Sequence, residues 1–215
     1  MLFAPDLFEF CAAASYLLWN DPTLYALSPF NEHPLDMSAA VLRCDIPGRF
    51  AFMTTVSTLL LRRNAPSDMG WDEWIAQEVV RQDRFVLVPA VSRVTPINSR
   101  FHHGFVPFLE MDFRYLYASN YDRDLQNSIL NSIEIQSISE IPWNQEGIYR
   151  IRYNERRHLS SQRMRMVWFE ERSESRGGFY SWSYRGVSIW RMGTITVFVT
   201  CDHLWPCDID PFSSL

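Results

Sequence analysis

The chain has 215 residues, of which 47% are hydrophobic and 15% aromatic; this is enough apolar surface for a sizeable core and excludes a disordered chain. Its formal charge of −5 disfavours a general nucleic-acid binder, and no stretch reaches the roughly 18 consecutive apolar residues of a membrane-spanning helix. Nothing in the composition marks a boundary, so one domain over residues 1–215 is expected.

From the N-terminus, Asp6 to Leu18 carries apolar residues at helical spacing (Leu7, Phe10, Cys11, Ala14, Leu17, Leu18), with Asp6 placed as an N-cap. Met1 to Trp19 lacks a basic leader region and holds Asp6 and Glu9, so it does not read as a signal peptide; a cytosolic chain, or one that follows a removed leader, is expected. A loop punctuated by Pro22, Pro29 and Pro34 leads to a short strand, Ala40 to Arg43, ended by Pro47-Gly48. Phe50 to Leu61 is ambiguous between strand and helix. Ser67 is then expected to cap one helix from Trp71 to Arg81. Phe85 to Val91 is a continuous apolar run, as in a strand buried on both faces. Phe105 to Phe113 is a further strand candidate and Leu125 to Leu130 a short helix. Ile148 to Tyr153 alternates Arg150 and Arg152 with Tyr149, Ile151 and Tyr153, the pattern of a strand with one wet face. Met164 to Phe169, Phe179 to Tyr184, Val187 to Trp190 and Thr194 to Thr200 follow. With turns at Arg185-Gly186 and Met192-Gly193, this back half reads as an antiparallel meander.

All 20 basic residues are arginine. Genomic nucleotide bias is one explanation; selection against ubiquitin acceptors, as in a protein that enters a host cytosol, is the other. Residues 150–191 hold ten arginines and four glutamates, a net of +6 that leaves −11 for the rest of the chain. That stretch is either a solvated sheet face or a contact for an acidic surface. Four cysteines, Cys11, Cys44, Cys201 and Cys207, allow disulfides (Cys201 with Cys207, leaving Cys11 with Cys44) or buried free thiols; their spacing matches no standard zinc site, so no metal is expected. Glu110-Met111-Asp112 and His102-His103-Gly104 are weaker candidates for chemistry.

The segment from Ser132 to Ile151 resembles the catalytic stretch of the ADP-ribosyltransferase toxins of the cholera-toxin and heat-labile-enterotoxin type. Ile141-Pro142-Trp143-Asn144-Gln145 and Tyr149-Arg150 stand at the family's spacing behind Glu134, and Val41-Leu42-Arg43-Cys44-Asp45 matches its Arg-x-Asp strand end. The family's Ser-Thr-Ser strand has Leu87-Val88-Pro89 in its place, and Ser132 stands where arginine-modifying members carry their first glutamate. The resemblance implies an α+β ADP-ribosyltransferase-like fold of two small packed sheets with peripheral helices, and NAD as cofactor. It implies that Arg43 holds the NAD phosphates, that Glu134 (with Ser132 beside it) promotes nicotinamide departure, and that Trp143 and Gln145 face the acceptor. A secreted or host-delivered toxin-like effector acting on a host protein, as transferase or NAD glycohydrolase, is the expected function. The alternative is an inactive effector or binding module on that fold, working through a protein–protein interface.

Overall fold

The computed structural model describes residues 1–31, 41–45, 51–95, 97, 113–153 and 180–201. Their internal contacts group the chain into two units, Met1–Tyr121 and Asp122–Leu215.

In the first unit a two-residue strand β1 (Leu2–Phe3) pairs antiparallel with β6 (Val94–Thr95) and leads into helix α1 (Leu7–Asn20). Asp6 precedes the helix as expected, but it makes no capping hydrogen bond; its carboxylate lies 3.0 Å from the guanidinium of the buried Arg93 instead. The buried residues Leu7, Phe10, Ala14, Leu17 and Leu18 are those the helical spacing selects, with Cys11 at the margin. Each large one removed from water contributes about 2 kcal/mol.

α1 packs on a four-stranded sheet of order β3-β5-β2-β4, made of β2 (Leu24–Leu27), β3 (Val41–Cys44), β4 (Met53–Thr54) and β5 (Phe85–Pro89). β5 lies parallel to β2 and antiparallel to β3. That inner position explains its unbroken apolar run, because both faces and both edges are covered. Phe10, Leu17, Leu24, Leu27, Val41, Leu87 and Leu116 form the core between helix and sheet.

The ambiguous stretch after residue 50 resolves into β4, then α2 (Val56–Leu60), then a 3-10 turn, Leu61–Asn64. Thr55 caps α2 by accepting a hydrogen bond from the Thr58 amide at 3.3 Å. The single helix expected from Trp71 to Arg81 is two: α3 (Trp71–Ile75) and α4 (Glu78–Arg81), with Gly70, not Ser67, preceding the first. The break at extended Gln77 has a packing reason. Ile75 and Val80 are both buried, yet in one continuous helix they would stand about 140° apart.

In the second unit α5 (Ala118–Leu130), which begins in the first, starts well ahead of the expected Leu125, because its opening turns are polar and carry no apolar period. A five-stranded sheet of order β7-β8-β11-β10-β9 follows, built from β7 (Ile133–Glu134), β8 (Gly147–Tyr153), β9 (Tyr180–Tyr184), β10 (Val187–Met192) and β11 (Ile195–Cys201). β9, β10 and β11 form the antiparallel meander, joined at Arg185-Gly186 and at Gly193-Thr194. Arg185 and Gly186 both take positive φ, the conformation that matches strand twist in a two-residue hairpin. β8 instead pairs parallel with β11, Gly147 facing Ile195 and Tyr153 facing Cys201, so the sheet is mixed. Tyr149 and Ile151 of β8 are buried and Arg152 is exposed, as the alternation requires.

Nothing in this topology ties the chain to the ADP-ribosyltransferase fold. Cys11 and Cys44 are free thiols, which corrects the pairing inferred from cysteine count; Cys44 is buried in β3 and Cys11 sits on α1. Cys201 is disulfide-bonded, and Cys207 lies outside the described residues. So do the His102-His103 pair, the Glu110/Asp112 pair, the strand candidates at 105–112 and 164–169, and most of the arginine-rich stretch.

Candidate functional site

The first unit carries a cluster of aromatic rings and acidic groups between residues 52 and 74. Phe52 enters it from the position just before β4, Arg62 from the 3-10 turn, and Trp71, Asp72, Glu73 and Trp74 from α3. Trp74 is buried and meets Trp71 edge-on, with ring centres 5.6 Å apart at 88°. Phe52 lies 6.3 Å from Trp71 and 6.5 Å from Trp74. Such tilted and edge-to-face contacts fix ring orientation beyond what burial alone does. Trp71 nonetheless keeps 54% of its surface exposed.

Arg62 holds the arrangement from behind. Its guanidinium carbon sits 5.2 Å from the Trp71 ring centre and 5.9 Å from that of Trp74. The same group donates to the Pro66 carbonyl at 3.1 Å and to the Met69 carbonyl at 2.6 Å, pinning the loop that precedes α3. The far end of α3 is tied to the sheet by the buried Tyr25, whose hydroxyl donates to the Ile75 carbonyl at 3.2 Å. Burial pushes the Tyr25 hydroxyl well above the usual phenol range, so it stays protonated and a donor.

Asp72 and Glu73 occupy the first turn of α3 and are exposed to solvent. Acidic groups there also suit the helix dipole. Gly70 gives the Asp72 carboxylate its room: a β-carbon on Gly70 would stand 2.7 Å from Asp72 Oδ1. The result is a half-exposed indole, oriented by Phe52, Trp74 and Arg62, on a helical turn that also carries two solvent-facing carboxylates. A flat, exposed aromatic ring suits a ligand with apolar C–H faces. Among the described residues no group of three or more His, Cys, Asp or Glu side chains is placed to hold a metal. Nor is any helix long and apolar enough to cross a membrane.

The residues singled out from sequence lie elsewhere. Arg43 is fully buried in the first unit. Its guanidinium donates to Asp21 Oδ2 at 2.8 Å, to the Leu116 carbonyl at 2.7 Å and to the Thr23 hydroxyl, and stacks over Phe85. This is a fork turned inward. Ser132 and Glu134 come together in the second unit around Arg150, which donates to the Ser132 carbonyl at 2.9 Å and pairs with Glu134 Oε2 at 2.9 Å. Arg152 approaches the same carboxylate at 3.0 Å. The Arg150 hydrogen bond and the two charges hold the Glu134 carboxyl below its usual range, against a smaller opposing effect of desolvation. Ser132 itself is buried and its hydroxyl donates to the Ile129 carbonyl. Trp143 is half-buried, and the exposed Gln145 closes a turn by donating its amide to the Pro142 carbonyl at 2.9 Å.

Sequence reading missed the aromatic–carboxylate cluster because Trp71 and Trp74 fit one face of a presumed longer helix. The available signal was the pair of acids enclosed between two tryptophans, Trp71-Asp72-Glu73-Trp74, in a stretch where helix N-terminal chemistry explains the acids equally well.

Compared with known protein families, residues 1–104 match the GNT-I family, a glycosyltransferase family. The matched segment is just under half of the chain and contains the whole cluster. This overturns the ADP-ribosyltransferase toxin reading, in both its enzymatic and its inactive-effector forms. The short likeness at Ser132 to Ile151 was built from individually common residues around a β-strand, whereas the family match extends over 104 positions. The NAD expectation and the roles given to Arg43, Ser132, Glu134, Trp143 and Gln145 rested on that likeness.

Proposed function

We propose that this chain is glycosyltransferase-related and that the Phe52–Trp74 cluster of its first unit receives a sugar. The observation that carries the reading is the coincidence of the two findings: the cluster lies inside the segment that matches the GNT-I family. The exposed face of Trp71 stacks against the C–H face of a pyranose, and Asp72 and Glu73 accept hydrogen bonds from its hydroxyls. Glycosyl transfer also needs a group that accepts the proton of the acceptor hydroxyl as that oxygen bonds to the anomeric carbon and the nucleoside diphosphate departs. A solvent-facing carboxylate beside the bound sugar is suited to that task. Arg62 and Tyr25 act through the fold, holding Trp71 and α3 in place.

The family's name denotes N-acetylglucosaminyltransferase I, so UDP-N-acetylglucosamine and neutral oligosaccharides are the first probes. The experiment follows tryptophan fluorescence and sugar transfer on purified full chain, with Trp71→Ala and the double variant Asp72→Asn/Glu73→Gln alongside. Saturable binding that Trp71→Ala weakens at least tenfold, with transfer lost in the double carboxylate variant, supports the reading. Binding of no sugar or sugar nucleotide, or binding untouched by Trp71→Ala, rejects it.

A further inference from the structure

Neither α3 nor α4 can hold its own place. They span five and four residues, so each has too few internal hydrogen bonds to be stable without outside ties. Arg62 supplies the tie ahead of α3 by holding the Pro66 and Met69 carbonyls. At the far end of α3 the Ile75 carbonyl accepts from the Tyr25 hydroxyl at 3.2 Å, and the group that fixes the Tyr25 ring is Arg84.

Arg84 lies just past α4. Its Nε donates to the Arg81 carbonyl and its Nη2 to the Val80 carbonyl, both at 3.0 Å. The two bonds fix the plane of the guanidinium and leave its carbon 5.7 Å from the centre of the buried Tyr25 ring. The backbone that delivers Arg84 is itself constrained. Gln82 and Asp83 have φ of 52° and 57°, a conformation that residues with a β-carbon adopt only when their surroundings impose it. The Arg84 amide closes that turn onto the Arg81 carbonyl at 3.0 Å, and the Asp83 amide donates to Glu78 Oε1 at 3.1 Å.

We propose, on the reading that Trp71 receives the sugar, that Arg84 is a positioning residue of that site, acting through Tyr25 on the end of α3. The line runs from the guanidinium to the Tyr25 ring, and from the Tyr25 hydroxyl to the Ile75 carbonyl. Ile75 stands one helical turn along from Trp71. A single turn has no length over which to absorb a shift at one end, so a displaced Ile75 carbonyl moves the indole.

The test is a double-mutant cycle of Arg84→Gln and Tyr25→Phe in the full chain, with urea unfolding to show that each variant is folded. Two quantities are read. One is the affinity for UDP-N-acetylglucosamine; the other is the near-ultraviolet dichroism of Trp71, taken as the difference between each chain and its Trp71→Phe counterpart. Each single substitution should weaken binding about fivefold, within the range for residues that support a site from a distance. The double variant should also lose about fivefold, where independent effects would give roughly 25-fold. The Trp71 dichroism should change alike in all three. Arg84→Lys keeps the charge but not the planar fork and should behave as Arg84→Gln. Arg150→Ala, a stability control in the second unit, should leave binding unchanged. Multiplied losses in the double variant, a Trp71 dichroism untouched by Arg84→Gln, or full binding in Arg84→Lys overturns the proposal. A parent chain that does not bind overturns the sugar reading instead, and the dichroism cycle then decides for or against the coupling of Arg84 to Trp71.

Discussion

Replacing Arg43 by methionine separates a structural arginine from a ligand-binding one. The substitution keeps much of the aliphatic stem and removes the guanidinium, leaving Asp21 as a carboxylate 4% exposed without its cation. Asp21 would keep hydrogen bonds from the Thr23 amide at 3.0 Å and the Ala118 amide at 3.2 Å, while the Leu116 carbonyl would lose its donor. Breaking a buried pair from one side costs about 3–5 kcal/mol, because an uncompensated charge stays behind. Domain stabilities run at about 5–15 kcal/mol, so the loss is a large fraction of the total. For a urea slope of about 2 kcal/mol per molar, the unfolding midpoint should fall by roughly 2 M.

The pH dependence carries the sharper signature. Burial by itself pushes the Asp21 carboxyl up, but hydrogen bonds from Thr23 and the Arg43 guanidinium outweigh it and hold the group below its ordinary value. A depressed carboxyl contributes stability that is complete above its unfolded pKa of about 3.9 and is lost as pH falls through the folded value. In Arg43→Met burial acts without the cation, the carboxyl moves upward, and the variant recovers part of its deficit when Asp21 protonates. The gap between the two proteins should therefore be widest near neutral pH and narrow in acid. Urea titrations at a series of pH values measure it. A neutral-pH loss below about 1 kcal/mol, or a gap that widens in acid, would refute the buried-pair account.

Gly70→Ala should change stability by less than about 1 kcal/mol, since Gly70 has φ −60° and the crowding falls on the tip of a side chain, yet it should displace the Asp72 carboxylate and weaken sugar binding. Parallel urea and ligand titrations report the split; equal effects on both would argue against it. Arg62→Gln loses two carbonyl contacts and the stacking on both tryptophans, at a cost of about 1–2 kcal/mol, and should alter the near-ultraviolet tryptophan dichroism. Arg150→Ala removes donors from the Ile129, Leu130 and Ser132 carbonyls at the end of α5 and should cost about 2 kcal/mol. In the same variant the Glu134 carboxyl loses the Arg150 hydrogen bond that does most to hold it low in the parent chain, and it should titrate at higher pH by NMR. With thiol reagents Cys11, half-buried, should react before Cys44, which is enclosed in β3; burial raises both thiols, and Cys44 should become accessible only on unfolding.

Local periodicity was legible wherever one face of an element meets the core. α1 is placed within two residues of its end by the spacing of Leu7, Phe10, Ala14 and Leu17, and β8 by the alternation of Tyr149 and Ile151 with Arg150 and Arg152. The inner strand β5 announces itself by an unbroken apolar run. Elements shaped by distant contacts were not legible. The α3–α4 break satisfies the burial of both Ile75 and Val80, and the parallel pairing of β8 with β11 joins segments nearly fifty positions apart.

The site was less legible than the fold, for a related reason. Arg43 before Cys44-Asp45 reads in one dimension like a phosphate clamp, and only the approach of Asp21, Thr23 and Leu116 turns its fork inward. Nothing in the segment around Glu134 shows that Arg150 and Arg152 lie against its carboxylate, which only the fold brings about. Trp71 and Trp74 read as one apolar face, although Arg62 and Phe52 separate a buried indole from a half-exposed one. By itself the sequence determined which residues lie on the core side of α1, β5 and β8, because burial of a periodic face is a local property of composition and spacing. Tertiary structure decided which polar side chains are spent on the fold and which remain for a ligand. A charged or aromatic group has the same letters in either role, and its role is set by the atoms that the folded chain brings within a few ångströms of it.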